Sequence, residues 1–254
     1  MTLAGIPAVG PAVVTLGVFD GVHLGHRQVV RATAAAAGER GADSVALVFD
    51  PPPIEIIRPG VRVERLLPVR LVLERLRGAG IDHAVRVAFD DEMREMAPEA
   101  FLAALAPAIE LRGVAMTPTG AFGHRRAGTL ERVAEIGAER GFDAVAVQPL
   151  EVDGEPVSSS RIRAALAAGD VALAERLLGA PALLDVELVD PGAPLRLTYL
   201  PALPAPGTYP ASWRATDGDA GSGTIEVRGD GSVVLASLMP APRGRLAVEL
   251  HAAA

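Results

Sequence analysis

Short apolar runs alternate with stretches of helical period from residue 12 to about residue 180, and few folds accept that alternation. The runs "AVVTLGV", "SVALVFD", "HAVRVAF", "LRGVAM" and "AVAVQPL" are interleaved with the helical "GHRQVVRATAAAAGERG", "VRLVLERLRGAG", "PEAFLAALAPAI" and "TLERVAEIGAERG". A last helical stretch, "SRIRAALAAGDVALAERLLG", follows. Strands of a parallel sheet are buried on both faces, so they read as unbroken Val, Ala and Leu runs, and the crossovers joining them are right-handed. The order therefore predicts an α/β fold with a doubly wound parallel sheet, whose ligands bind at the C-terminal ends of the strands. Only 4% of the residues are aromatic against 50% hydrophobic, so the core has to be built from small aliphatic side chains packed between layers.

Near residue 183 the pattern changes. Prolines stand at 191, 194, 201, 204, 206 and 210, and helical period is lost. Residues 1–183 are expected to form the α/β domain and 184–254 a small β module. Within the latter, "TIEVRGDGSVVLASL" reads as a hairpin about "GDG", and "RGRLAVELH" as a further strand.

Composition removes several chemistries. Lys and Cys are absent and all 24 basic residues are arginine, which excludes a Schiff-base lysine, a lysine-dependent phosphate loop, a thiol nucleophile and a thiolate metal site. A net charge of −7 argues against nucleic acid or an anionic membrane as partner, because both are bound through an excess of basic groups. A small-molecule ligand is left. The uncharged start "MTLAGIPAVGPAVVTLGVF" lacks a basic n-region and is broken by Pro7 and Pro11, so it reads as a cytoplasmic chain without an export signal.

The first run ends at Gly17, and "GVFDGVHLGH" is the turn into the first helix, at the sheet edge where ligands sit. Gly17, Gly21 and Gly25 allow close backbone approach, and free N–H groups at a helix start attract anions. His23 and His26 can add imidazole donors to phosphate oxygens as charge grows on them. Two surface histidines in a loop are the plain alternative, but the setting after the first strand of a βα unit, with Asp20 and three glycines, favours phosphate binding. A second element, "VSSSRIRAAL", sets Ser158, Ser159 and Ser160 before a helix with Arg161 and Arg163. One serine is an N-cap, and the full set of hydroxyls and guanidinium groups suits a polyphosphate. Together the two elements suggest one nucleoside triphosphate gripped between two helix starts. Elsewhere "GHRRAG", with His124, Arg125 and Arg126, reads either as a phosphate contact or as a solvated basic loop. Asp50 reads either as a ribose or Mg²⁺ ligand or as a turn former before prolines.

"GVFDGVHLGH" with "SSSRIR" resembles the nucleotidylyltransferase superfamily. The fuller order, with "VFDPPP", "FDDEMREMAPEAFL" and "VDGEPVSSSRIRAALAAGDVALAERLLG", resembles bacterial FAD synthetases, the bifunctional riboflavin kinase/FMN adenylyltransferases, over roughly residues 12–180. The resemblance implies a Rossmann-like sheet of nucleotidylyltransferase type and transfer of AMP from ATP to FMN, giving FAD and pyrophosphate. It also implies Mg²⁺ carried by the substrate and no covalent intermediate. By it His23, His26 and Arg163 are the catalytic residues, and Ser159, Ser160 and Arg163 hold the leaving pyrophosphate. Gly17, Phe19, Asp20, Gly21, Gly25, Ser158 and Arg161 complete the nucleotide side. Asp50, Thr119, Phe122, Gly123 and Arg125 form the acceptor side.

The departures fall mainly on that acceptor side. Val18 stands where the family pattern has Asn, and Pro51-Pro52-Pro53 replaces Pro-His-Pro. "TPTGAFG" keeps only Phe122 and Gly123 of the Gly-x-Asp/Asn-Phe-x-Phe-Gly loop, and Pro156 takes the place of a basic residue. No Gly-Arg-x-Leu-Gly-Phe-Pro-Thr-Ala-Asn segment occurs after residue 184, so the β module reads as a degenerate remnant of a kinase barrel without riboflavin kinase activity. Two alternatives to an FMN adenylyltransferase stay open: a nucleotidylyltransferase with another phosphorylated acceptor, and a nucleotide- or flavin-binding protein with reduced catalysis.

Overall fold

A computed structural model describes residues 3–189, 193–239 and 244–252. By packing, the chain divides into two compact units, one formed by residues 1–63 and 69–151, the other by residues 64–68 and 152–254. The composition change near 183 thus falls inside the second unit, which also takes in the last two helices.

The first unit is built on five parallel strands, β1 (Gly10–Gly17), β2 (Asp43–Phe49), β3 (His83–Val87), β4 (Ile109–Met116) and, after the short pair β5 (Ala121–Phe122) and β6 (Gly128–Thr129), β7 (Asp143–Ala146). Their order in the sheet is β3-β2-β1-β4-β7. The strands run outward from β1 in one direction and then from β4 in the other, so the order reverses between these two neighbours, the switch point where ligands of doubly wound sheets bind. β1 is the apolar run of the sequence, with Ala12 to Thr15 buried. Pro11 sits at its exposed start, where a missing N–H costs little. Register is set by pairs such as Val14 with Val45 and Val14 with Val114.

Alternation along β1 sends Val13 to one face, against Ala36 and Ala37 of α1 (Leu24–Glu39). Ala12 and Val14 go to the other face. There they join Phe101, Leu102 and Leu105 of α5 (Pro98–Leu105) and Val133 and Ile136 of α6 (Leu130–Arg140). The remaining helices of this unit are α2 (Pro53–Ile57), α3 (Val69–Gly78) and α4 (Asp91–Glu95). The acidic "FDDEMREM" forms α4, with Asp90 as N-cap and Asp91 and Glu92 in the first turn, where the macrodipole favours carboxylates.

The second unit begins with the hairpin strands β8 (Glu151–Val152, its first residue still in the first unit) and β9 (Glu155–Pro156), followed by α7 (Ser159–Ala167) and α8 (Val171–Leu178). The single helical stretch expected here is two helices. Gly169, at φ 78°, ends the first, and Asp170 caps the second by accepting from the Leu173 N–H at 2.9 Å. An antiparallel sheet follows, in the order β11-β10-β15-β12-β13-β14. Its strands are β10 (Ala182–Leu188), β11 (Arg196–Leu197), β12 (Gly207–Ala215), β13 (Ala220–Val227), β14 (Val233–Met239) and β15 (Gly244–Leu250). β13 and β14 are the expected hairpin, closed by Arg228 N–H to the Ser232 carbonyl at 2.9 Å. The expected "RGRLAVELH" strand is β15, except that Arg243 lies outside the described residues. Among the described residues no helix is long and apolar enough to cross a membrane.

Candidate functional site

The turn after β1 is strained where it has to aim side chains. Phe19 and Val22 have φ 52° and 46°, left-handed values that are rare for non-glycine residues and rarest for a β-branched one. Between them Gly21, at φ 84°, is the position that calls for glycine. Asp20 is buried at the start of the 3₁₀ turn 20–22. The chain then enters α1 with His23 as its N-cap: the His26 N–H donates to His23 Nδ1 at 3.3 Å. Because Nδ1 accepts, a proton on the His23 ring sits on Nε2.

The two imidazoles stack, with centroids 3.6 Å apart and planes 17° apart, and Phe19 meets His26 edge-on at 5.3 Å. Burial first, and second the neighbouring His23, hold the His26 imidazole well below the usual range, so it is neutral at pH 7. Its Nδ1 is buried and has no hydrogen-bond partner among the described residues. A buried polar atom without a partner is the exception in native structures and is the kind of group a ligand satisfies.

His26 walls a cavity of about 170 Å³ together with Thr15, Gly17, Phe19, Thr117 and Gly120. The C-terminal ends of β1 and β4 supply this wall, so the cavity stands at the switch point of the sheet. A larger chamber of about 410 Å³ adjoins it, and Leu16, Gly17, Val18, Ala121 and Phe122 line both. Four of the six phenylalanines, Phe49, Phe89, Phe101 and Phe122, line this chamber. Their rings are in contact, Phe49 with Phe89 at 5.6 Å, Phe49 with Phe101 at 6.2 Å and Phe101 with Phe122 at 5.3 Å. For a chain with so few aromatics, this concentration marks a pocket for a flat apolar group.

Of the residues singled out from the sequence, Gly17, Phe19, His26, Phe122 and Gly123 line one or both cavities. His23 stands behind His26 as cap and stacking partner. Gly25 lies in the first turn of α1. Asp50, Thr119 and Arg125 are outside the residues lining either cavity. The Asp50 carboxylate accepts from Arg86 Nε at 2.7 Å, and Arg126, not Arg125, reaches the chamber.

In the second unit Ser158 is the N-cap of α7, accepting from the Arg161 N–H at 3.2 Å. The Arg161 guanidinium is committed to the hairpin, donating to the carbonyls of Val152 and Glu155 at 2.9 and 3.0 Å and pairing with the Glu155 carboxylate at 3.1 Å. Arg163 Nη2 donates to Ser160 Oγ at 3.3 Å, and Ser159 opens the helix.

Sequence reasoning missed Thr15, Thr117 and the aromatic chamber. Thr15 had a signal, as the one polar residue inside an apolar run. The phenylalanines are scattered over two strands, a loop and a helix and had none.

The profile of the FAD synthetase family matches residues 6–161. A bifunctional riboflavin kinase/FMN adenylyltransferase of Pseudomonas fluorescens is 35% identical over 174 residues, 66% of this chain and 54% of that protein. Its counterpart in Escherichia coli K12 is 32% identical over 170 residues, with the same shares. The chain thus spans about half the length of these relatives. A crystal structure of a macrolide-efflux protein from Streptococcus pneumoniae superimposes with a TM-score of 0.84 over 98% of this chain and 88% of that one. At 22% identity that likeness speaks for the fold alone. With its glycine-rich turn, its paired imidazoles and a family profile running through most of its first two-thirds, the chain belongs to the FAD synthetase family.

Proposed function

We propose that this chain transfers the AMP group of ATP to FMN, releasing FAD and pyrophosphate. The observation that carries the reading is the pair of adjoining cavities: one walled by a neutral imidazole whose buried Nδ1 has no hydrogen-bond partner among the described residues, the other by four phenylalanines. The nucleotide's phosphates suit the first and a flavin ring the second. An oxygen of the FMN phosphate then attacks the α-phosphorus of ATP, and the bond to the α–β bridging oxygen breaks, its electron pair leaving with pyrophosphate.

Such a displacement needs positioning and charge neutralisation more than a nucleophilic side chain. His26 offers its imidazole to the α-phosphate oxygens as charge builds there, while the His23 cap and ring hold it in place. Ser159, Ser160 and Arg163 offer hydroxyl and guanidinium donors suited to pyrophosphate. Among the described residues no group of three or more His, Asp or Glu could hold a metal ion. Mg²⁺ would arrive with the nucleotide's own phosphates, as its preference for phosphate and water ligands allows.

A second reading keeps this chemistry with another phosphorylated acceptor. Val18, which lines both cavities, brings no hydrogen-bonding group to a polar acceptor. Incubation of the protein with ATP, Mg²⁺ and FMN is expected to yield FAD and pyrophosphate in equal amounts. Riboflavin with ATP is expected to yield no FMN, since the β module lacks the kinase segment. Pyrophosphate released only with a different acceptor would move the assignment to the second reading, and binding of ATP without any release would leave a non-catalytic binder.

A further inference from the structure

Among the described residues the aromatic chamber has a single charged side chain in its lining, Arg126. Its Nη2 donates to the Thr119 carbonyl at 3.2 Å, which holds the cation beside the segment 117–122. Ala121 and Phe122 of that segment line both cavities, so the guanidinium, which lines the larger chamber, is held beside a segment the two cavities share. Among the described residues one of its five N–H donors is spent there, and the planar fork can present others to an anion.

The backbone that delivers it is strained and braced. Arg125 and Arg126 both lie in the left-handed region, at φ 52° and 60°. Gly123, at φ 73°, packs on Pro98 so closely that a Cβ would come within 3.0 Å of the proline ring. The His124 N–H donates to the Met96 carbonyl at 2.8 Å, and its ring Nδ1 lies 2.9 Å from the Glu95 carboxylate. Strain of this kind persists only where the surroundings over-determine it, and here its effect is to turn one arginine toward the chamber while its neighbour stays outside.

We propose that Arg126 is the specificity-determining residue of the acceptor side: it grips the acceptor's own phosphate beside the segment 117–122 while the ring enters the chamber, and so selects a phosphorylated flavin over one without phosphate. This rests on the flavin reading of the chamber. The test is titration of the full chain with FMN and with riboflavin, followed by flavin fluorescence, for the wild type, Arg126→Gln and Arg126→Lys. The wild type is expected to bind FMN about tenfold or more tightly than riboflavin, as a charge-assisted hydrogen bond provides. Arg126→Gln should bind the two about equally, with riboflavin affinity, ATP affinity and melting temperature unchanged. Arg126→Lys should recover part of the preference. An unchanged FMN preference in Arg126→Gln, or an equal loss for both flavins, overturns the proposal while leaving the flavin chamber standing. Failure of either flavin to bind the wild type removes the chamber reading and the proposal with it.

Discussion

Replacing His26 with alanine is expected to lower kcat for FAD formation by about 10²–10³-fold, the usual cost of one preorganised donor to a developing oxyanion, with FMN affinity unchanged. The size follows from where the ring stands. It walls the nucleotide-side cavity, its Nδ1 is buried without a partner, and its orientation is fixed by the stacked His23. A pH series gives the same residue a second readout. Burial and His23 depress its proton affinity in the folded state, whereas the unfolded chain protonates that histidine below about pH 6.5. Below that pH the unfolded state binds more protons, so stability falls as the solution is acidified. His26→Gln is expected to flatten this acid limb in urea denaturation. A limb of unchanged slope would show that the ring is not held neutral.

The second large effect is at Phe101, which is 2% exposed and touches Phe49 and Phe122 across the chamber. Phe101→Ala opens a hole in the core that also carries Leu102, Leu105 and Ile136. It is expected to cost about 3–5 kcal/mol, measured by chemical denaturation. Phe101→Leu keeps most of the volume and gives up the aromatic face. Stability should change little, while FMN binding weakens by about tenfold, near the upper end of what an aromatic pair contributes beyond its buried area. ATP affinity should not move. If FMN binding survives Phe101→Leu intact, the chamber does not hold the ring.

These two residues also show what can be read from a chain of this kind. The His26 turn was legible because a single short segment carries the whole device: a buried strand, left-handed turn positions, a helix start and the imidazoles all fall within residues 10–26. The parallel sheet was legible for a similar reason, since its central strands β1 and β2 carry the contiguous apolar runs "AVVTL" and "VALVF". The chamber was not legible, because Phe49, Phe89, Phe101 and Phe122 meet only after the strands are ordered around the switch point. In the linear sequence they are four isolated aromatics. Likewise nothing local distinguishes Arg126 from Arg125, because the choice is made by left-handed backbone and by the packing of Gly123 on Pro98. Arg161 misled in the opposite sense. Its neighbours in sequence suggest a phosphate ligand, and its guanidinium turns instead to the carbonyls of a hairpin. The break at Gly169 was signalled by "GD", a glycine followed by a capping acid, inside a helical period strong enough to mask it.

The product gives the most direct test of the whole account, because FAD joins in one molecule the groups assigned to the two adjoining cavities. Equilibrium competition among FAD, FMN and a non-hydrolysable ATP analogue is expected to show FAD displacing both of the others with one-to-one stoichiometry, while FMN and the analogue bind together. FAD that displaces only one of them, or FMN and the analogue excluding each other, would contradict it.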